Sequence, residues 1–247
     1  MEFASDARPA QMRVASSVRR RVLPMKKQSI VADSPRSAKA DRAGRAPGPL
    51  EGATFQFGAA QESQLPPAAV REIAFAGRSN AGKSSAINAL ARQTRLAYAS
   101  RTPGRTQQIN FFELRNGAVI TDLPGYGYAA VPRALKQGWQ DFLWVYVTTR
   151  TTLIGLVLVV DARHQLKPLD MELLGGFLPS GRPVLILATK ADKLNQAERR
   201  AAVTGIDAQL RDAFPDHAKD VRVIAFSASS RQGVDEADAA IEAWLAS

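Results

Sequence analysis

Gly77-Arg78-Ser79-Asn80-Ala81-Gly82-Lys83-Ser84 fits the spacing G-x-x-x-x-G-K-[ST], and its reading decides the fold of this chain. Gly77 and Gly82 permit backbone angles that a side chain would block, so successive N–H groups can converge on phosphate oxygens. Lys83 can reach the outer phosphates, and the Ser84 hydroxyl can ligate Mg²⁺. Arg71–Ala76 reads as a buried strand entering the loop, and Ser85–Ala91 as a helix leaving it with its N-terminus aimed at the phosphates. The alternative is a Gly-rich turn before an ordinary helix. By average residue usage the pattern arises by chance in roughly one chain in a hundred of this length, so companion motifs must say what the loop binds.

Outward from the loop, strand-like and helix-like segments alternate. Ala53–Phe57 reads as an edge strand. Gln108–Leu114 and Ala118–Thr121 flank an Asn116-Gly117 turn, which predicts an antiparallel pair. Leu153–Val160, Pro183–Ala188 and Val221–Phe226 are continuous apolar runs, as expected of parallel strands covered on both faces. Helices are predicted over Pro132–Arg150, Lys167–Leu178, Gln196–Ala213 and Gly233–Ala246. In the first of these, Leu135, Trp139, Phe142, Leu143 and Tyr146 share one face, which reads as core. The fold class is therefore α/β: a three-layer sandwich with a mostly parallel central sheet, one antiparallel strand, and helices on both faces.

The chain has 247 residues and no Cys, which excludes a disulfide framework, a thiolate metal site and a Cys nucleophile. No apolar run is long enough to span a membrane. The formal charge is +10 and unevenly spread. Residues 1–50 carry eleven Lys/Arg and four Asp/Glu, hence +7, which leaves +3 for residues 51–247. Arg19-Arg20-Arg21 and Lys26-Lys27 form basic clusters in a segment rich in Arg, Ser, Ala and Pro without sustained periodicity, expected to be disordered. Two readings of this arm stand: a nucleic-acid-binding extension, or a solvated tail. Met25 is an alternative start. Ala46-Pro47-Gly48-Pro49 marks the boundary between the arm and a domain over residues 51–247.

Each further motif falls just past the C-terminal end of a predicted strand, where an open α/β sheet places its ligand. Asp122-Leu123-Pro124-Gly125 offers a carboxylate for Mg²⁺ and a Gly125 N–H for the γ-phosphate. Thr189-Lys190-Ala191-Asp192 offers a carboxylate at Asp192 that can accept from guanine N1–H and N2–H₂. Adenine has no such paired donors, so the ligand read here is GTP or GDP, and an ATP-using kinase is disfavoured. The Lys190 stem can lie along the base plane. Phe226-Ser227-Ala228 offers a backbone N–H for guanine O6.

These motifs together resemble the translation-factor-related GTPases, with Thr189 where the usual N-K-x-D has Asn. T-K-x-D, G-R-S-N-A-G-K-S-S, T-P-G-R-T-Q-Q-I-N-F-F and D-L-P-G-Y-G closely resemble the EngB (YihA/YsxC) family of bacterial ribosome-assembly GTPases, from about Ala53 to the C-terminus. The stretch Asp161–Asp170 is also similar to the family, but His164 within it reads as a loop residue without chemistry. The resemblance implies a switch threonine in Gly104-Arg105-Thr106-Gln107-Gln108. Thr106 would ligate Mg²⁺ and contact the γ-phosphate beside Lys83 and Gly125; spacing alone also allows Thr102. It further implies transient binding to the large ribosomal subunit during its assembly, in support of cell division. The protein is expected to be cytoplasmic, which the absence of Cys suits, and monomeric, with no membrane attachment and no DNA specificity evident in the sequence.

The hydrolytic water has no obvious ligand. Many small GTPases carry Gln directly after D-x-x-G; this chain has Tyr126. Gln107, Gln108 or a backbone group are the alternatives, and no arginine finger can be named, Arg105 included. Slow intrinsic hydrolysis is expected. Asn80 resembles the loop Asn of GTPases in which K⁺ takes the arginine finger's role; the competing reading is an Asn that rigidifies the loop.

Overall fold

The computed structural model describes residues 46–98, 108–127 and 133–247, and for residues 133–140 the helical backbone alone. The described residues belong to one compact unit, Ala46–Ser247. Seven strands, β1 (Thr54–Ala59), β2 (Glu72–Gly77), β3 (Ile109–Glu113), β4 (Val119–Asp122), β5 (Leu153–Asp161), β6 (Val184–Thr189) and β7 (Val221–Ala225), form one sheet in the order β1-β3-β4-β2-β5-β6-β7. β3 runs antiparallel to both β1 and β4, while β4-β2-β5-β6-β7 are mutually parallel. The helices are α1 (Lys83–Leu90), α2 (Arg133–Thr149), α3 (Pro168–Phe177), α4 (Gln196–Ala213) and α5 (Val234–Ala246).

The continuous apolar runs resolve into a period of two. In β5, Leu156, Leu158 and Val160 join a core with Leu143, Leu174 and Ile206 of α2, α3 and α4. Val157 and Val159 join a second core with Ile87 of α1 and Ile241 of α5. Both faces are covered, which is why the sequence shows no polar alternation there. The α2 stripe packs as predicted where it is described: Leu143 and Tyr146 are buried. Leu50, which the composition-based boundary assigns to the arm, is fully buried in the second core. The Pro-Gly-Pro turn thus leads an apolar anchor into the domain.

Beside β2 the sheet's connections reverse: β2 leads into α1 on one face, whereas its neighbours β4 and β5 lead into α2 and α3 on the other, and a crevice opens at the strands' C-terminal ends. The opposite end is locked by a buried network. Glu72 at the start of β2 accepts from Tyr146 Oη (2.5 Å) and Arg150 Nε (3.0 Å), and Tyr146 also reaches Thr121 Oγ1 (3.1 Å). Burial, then the nearby Glu72 carboxylate, pushes the Tyr146 phenol well above its ordinary pKa, so it remains a donor.

Candidate functional site: a nucleotide crevice with two ends

The phosphate end is built on the turn from β2 into α1. A Cβ at Gly77 would lie 2.5 Å from the Val159 carbonyl oxygen, so only Gly lets the loop leave between β2 and β5. Gly82 caps α1 with φ 100°, a left-handed conformation that L residues avoid. The first N–H groups of α1 have no acceptor within their own helix and face the crevice with the positive end of its dipole. Lys83 Nζ forms an ion pair with Asp122 Oδ1 at the end of β4, with both side chains nearly buried. The ammonium is therefore poised against the carboxylate in the place where phosphate oxygens and a metal would meet them.

The D-x-x-G segment is stitched to the P-loop. Leu123 N–H donates to Phe75 O (2.9 Å) and Ser79 N–H to Tyr126 O (2.9 Å), and Arg78 and Tyr126 form a parallel β-bridge. Ser79 Oγ donates to Gly125 O (3.2 Å). An added Cβ at Gly125 would come 3.0 Å from Ser79 Oγ and 3.1 Å from the Ser79 backbone, so the two segments approach closely there. Tyr126 Oη donates to Asp170 Oδ1 (2.6 Å) on α3, and Asp170 Oδ2 accepts from the Lys167 N–H (2.9 Å), capping that helix. Burial, then Asp170, raises the Tyr126 phenol's pKa well above its ordinary value, and burial raises that of Asp170. Tyr126 is thus a packed tether, its hydroxyl engaged away from solvent, and no substitute for a water-orienting Gln.

At the other end of the crevice, expected to take the base, the motif side chains are already held. Thr189 Oγ1 lies within hydrogen-bonding distance of the carbonyls of Ala81 (2.5 Å) and Val160 (3.0 Å) and can donate to one at a time. The Thr that replaces Asn therefore ties β6 to the P-loop. Lys190 adopts φ 59°, and its Nζ donates to Asn80 O (2.8 Å). Asp192 Oδ1 accepts from Ser227 Oγ (2.7 Å), which first among several contacts holds the carboxyl below its ordinary pKa. The Ala191 N–H to Phe226 O bond (3.1 Å) and the Ser227 N–H to Gln232 O bond (3.0 Å) fix the two loops against each other. Ser227 and Phe226 are fully buried, with Ala228 half-buried beside them.

Thr102, Gly104, Arg105, Thr106 and Gln107 lie outside the described residues. Gln108 is described: its Nε2 donates to Asn110 Oδ1 (3.1 Å), and Asn110 pairs with Asp122 in the sheet. Among the described residues no group of three or more His, Asp or Glu side chains could hold a metal by itself. Ser84 and Asp122 instead offer two hard oxygen donors beside Lys83. That set suits Mg²⁺, which takes one or two protein oxygens and completes its shell with phosphates and water. When bound, the ion would neutralise charge on the phosphate oxygens.

Two features were not assigned chemistry from sequence. Asp161, at the end of β5, receives Arg163 Nε (2.9 Å), Arg163 Nη2 (2.7 Å) and Lys190 Nζ (2.9 Å). A cavity of about 270 Å³ opens beside it, lined by the outer side of the P-loop and by Asp161, Arg163, His164 and Lys190. The other is the Tyr126–Asp170 tether. The available signal for Asp161 was its place, since it ends a parallel strand as Asp122 does.

A P-loop between β2 and α1, an acid at the adjacent strand end and a T-K-x-D segment at the end of β6 define the domain of a P-loop GTPase. Residues 72–190 match the family model described as "50S ribosome-binding GTPase". The probable GTP-binding protein EngB of Azoarcus sp. (strain BH72) is 49% identical over 193 residues, covering 78% of this chain and 91% of that protein. The one from Neisseria meningitidis serogroup B is 52% identical over 174 residues, covering 70% and 82%. The chain belongs to the EngB family of GTP-binding proteins and is a GTPase. The fold also matches the crystal structure of a probable GTP-binding protein EngB (TM-score 0.55, 23% identity, 70% of this chain and 97% of that one). It matches Era in complex with MgGDPNP and a 16S ribosomal RNA segment (TM-score 0.53, 22% identity, 71% and 56%). Among the described residues no helix is long and apolar enough to cross a membrane.

Proposed function

We propose that this chain is a cytoplasmic, Mg²⁺-dependent GTP switch that acts in assembly of the large ribosomal subunit and thereby supports cell division. The observation that carries the nucleotide part is the Ser227–Asp192 hydrogen bond: it presents an ionised carboxylate whose remaining lone pairs can take guanine N1–H and N2–H₂. Gly77–Ser84 would wrap the phosphates, with Lys83 on the β- and γ-oxygens. Ser84, Asp122 and, in the GTP state, Thr106 would hold Mg²⁺. The Ala228 N–H would meet guanine O6 beside Phe226 and Ser227, and Lys190 and Ala191 would flank the base. The family model's description and the resemblance support the ribosomal partner. The basic arm and surface charge suit rRNA.

Lys83 moves from Asp122 to phosphate when the nucleotide enters, which frees the carboxylate for the metal side. Gly125 then reports the γ-phosphate, and its loss releases the segment stitched to Ser79. Hydrolysis is slow without a partner, because Tyr126 is engaged with Asp170. That same engagement favours a second reading, a GTP-dependent ribosome-binding module with negligible turnover. Single-turnover phosphate release with and without large subunits separates the two. Co-sedimentation with subunits in GTP and in GDP, with and without residues 1–50, tests partner, switch and arm; equal sedimentation in both nucleotides would overturn the switch. Asn80 is exposed at φ 66°, with its carbonyl taken by Lys190, which leaves the side chain open to a K⁺ role. Equal rates in KCl and NaCl would exclude that role.

A further inference from the structure

Lys190 is the residue whose stem would carry the guanine plane, yet packing does not confine it. Its side chain is one-third exposed and borders the 270 Å³ cavity, so the ammonium has room to swing away from the base. Two acceptors hold it: the Asn80 carbonyl at 2.8 Å and the Asp161 carboxylate at 2.9 Å. Asp161 is itself fixed. It is 8% exposed, sits at the end of β5 paired with Thr189, and is gripped in a fork by Arg163 Nε and Nη2 and by the Arg163 N–H (3.1 Å). Burial raises its pKa, but Arg163 and Lys190 outweigh burial and leave the carboxyl well below its ordinary range, so it is ionised at neutral pH.

We propose that Asp161 is a positioning residue for base recognition: with Arg163 behind it, it clamps the Lys190 ammonium to the P-loop carbonyl of Asn80, so that the lysine stem is preset as a flat platform for guanine. A preset side chain loses less conformational freedom when the ligand arrives, and that saving appears as affinity. The clamp also joins the base-reading strand to the phosphate loop through one side chain. The proposal rests on the reading of Lys190 and Asp192 as the guanine site, so the experiment separates the two.

A fluorescent GDP analogue is titrated into the full chain and into Asp161→Asn, Lys190→Met and the double variant, with Asp161→Glu as the conservative replacement and thermal melting as the folding control. Asp161→Asn is expected to weaken binding about five- to tenfold, the lower part of the range for a charged hydrogen bond because Lys190 is partly exposed. In the double variant the loss should equal that of Lys190→Met alone, and Asp161→Glu should recover part of the affinity. If Lys190→Met binds like wild type, the reading of the base site fails. If Lys190→Met weakens binding while Asp161→Asn does not, or if the two losses simply multiply, the clamp is overturned. Should Asp161→Asn fold poorly, Asp161→Glu combined with Lys190→Met gives the same cycle, with multiplied losses again counting against the clamp.

Discussion

The two ends of the crevice differ in what their side chains are doing before any ligand arrives. At the proposed base end, Thr189, Lys190, Asp192 and Ser227 are held by β6, the P-loop and one another. At the phosphate end, Lys83 and Asp122 are engaged with each other, and Ser79 is bonded to the D-x-x-G segment. A base contact is the same in GTP and GDP, so a rigid pocket serves both states at little ordering cost. A phosphate contact must differ between them, so its groups need a second set of partners to return to. On the proposed function, specificity is built into the fixed end and switching into the end with exchangeable partners.

The largest expected effect tests the phosphate end. Lys83→Ala removes a preplaced positive charge from the transferred phosphoryl group and should lower the single-turnover hydrolysis rate roughly a hundred- to a thousandfold, read by phosphate release. A rate within threefold of wild type would deny Lys83 its role. Next comes the base end. Asp192→Asn should weaken GDP binding by about ten- to a hundredfold and move preference towards xanthosine diphosphate, read by competition against a fluorescent nucleotide. Unchanged preference would sink the base-reading claim. Tyr126→Phe deletes the donor to buried Asp170 and should lower stability by about 1–2 kcal/mol in urea unfolding, with guanine selectivity intact. A loss of selectivity there would mean that the two ends are not separate.

The smallest effect concerns pH. The Asp161 carboxyl lies below its ordinary pKa in the fold, so the fold favours its ionised form. That stabilisation is fully present above the unfolded pKa and is lost as pH falls through the folded one. The melting-temperature gap between wild type and Asp161→Asn should be constant above about pH 5 and shrink below about pH 4, as scanning calorimetry would show. A gap that widened on acidification would contradict the sign.

Most of the framework was legible because local pattern and tertiary context agree. The P-loop glycines, the apolar runs of β5 and β6 and the Asn-Gly turn between β3 and β4 each have a single physical solution. Helix α4 is capped by Asn195, with Glu198 reaching back to the Asn195 N–H (2.8 Å), and its predicted span, Gln196–Ala213, matches the one observed. What was not legible depends on partners far apart in sequence. Tyr126 meets Asp170 across 44 positions, and Lys190 meets Asn80 across 110. No spacing rule announces such contacts, so a tyrosine after D-x-x-G shows only that a Gln is missing, not that a tether exists. The strand-end position of Asp161 was visible, but only the folded sheet brings the Lys190 ammonium to it.

The most direct test of the two-ended account is hydrogen exchange of the full chain with Mg²⁺, bound to GDP and to a non-hydrolysable GTP analogue. The account predicts equal protection of segments 189–192 and 226–232 by both nucleotides, and protection of segment 122–127 that differs between them. Identical protection of 122–127 in the two states, or a nucleotide-dependent change confined to the base end, would contradict it.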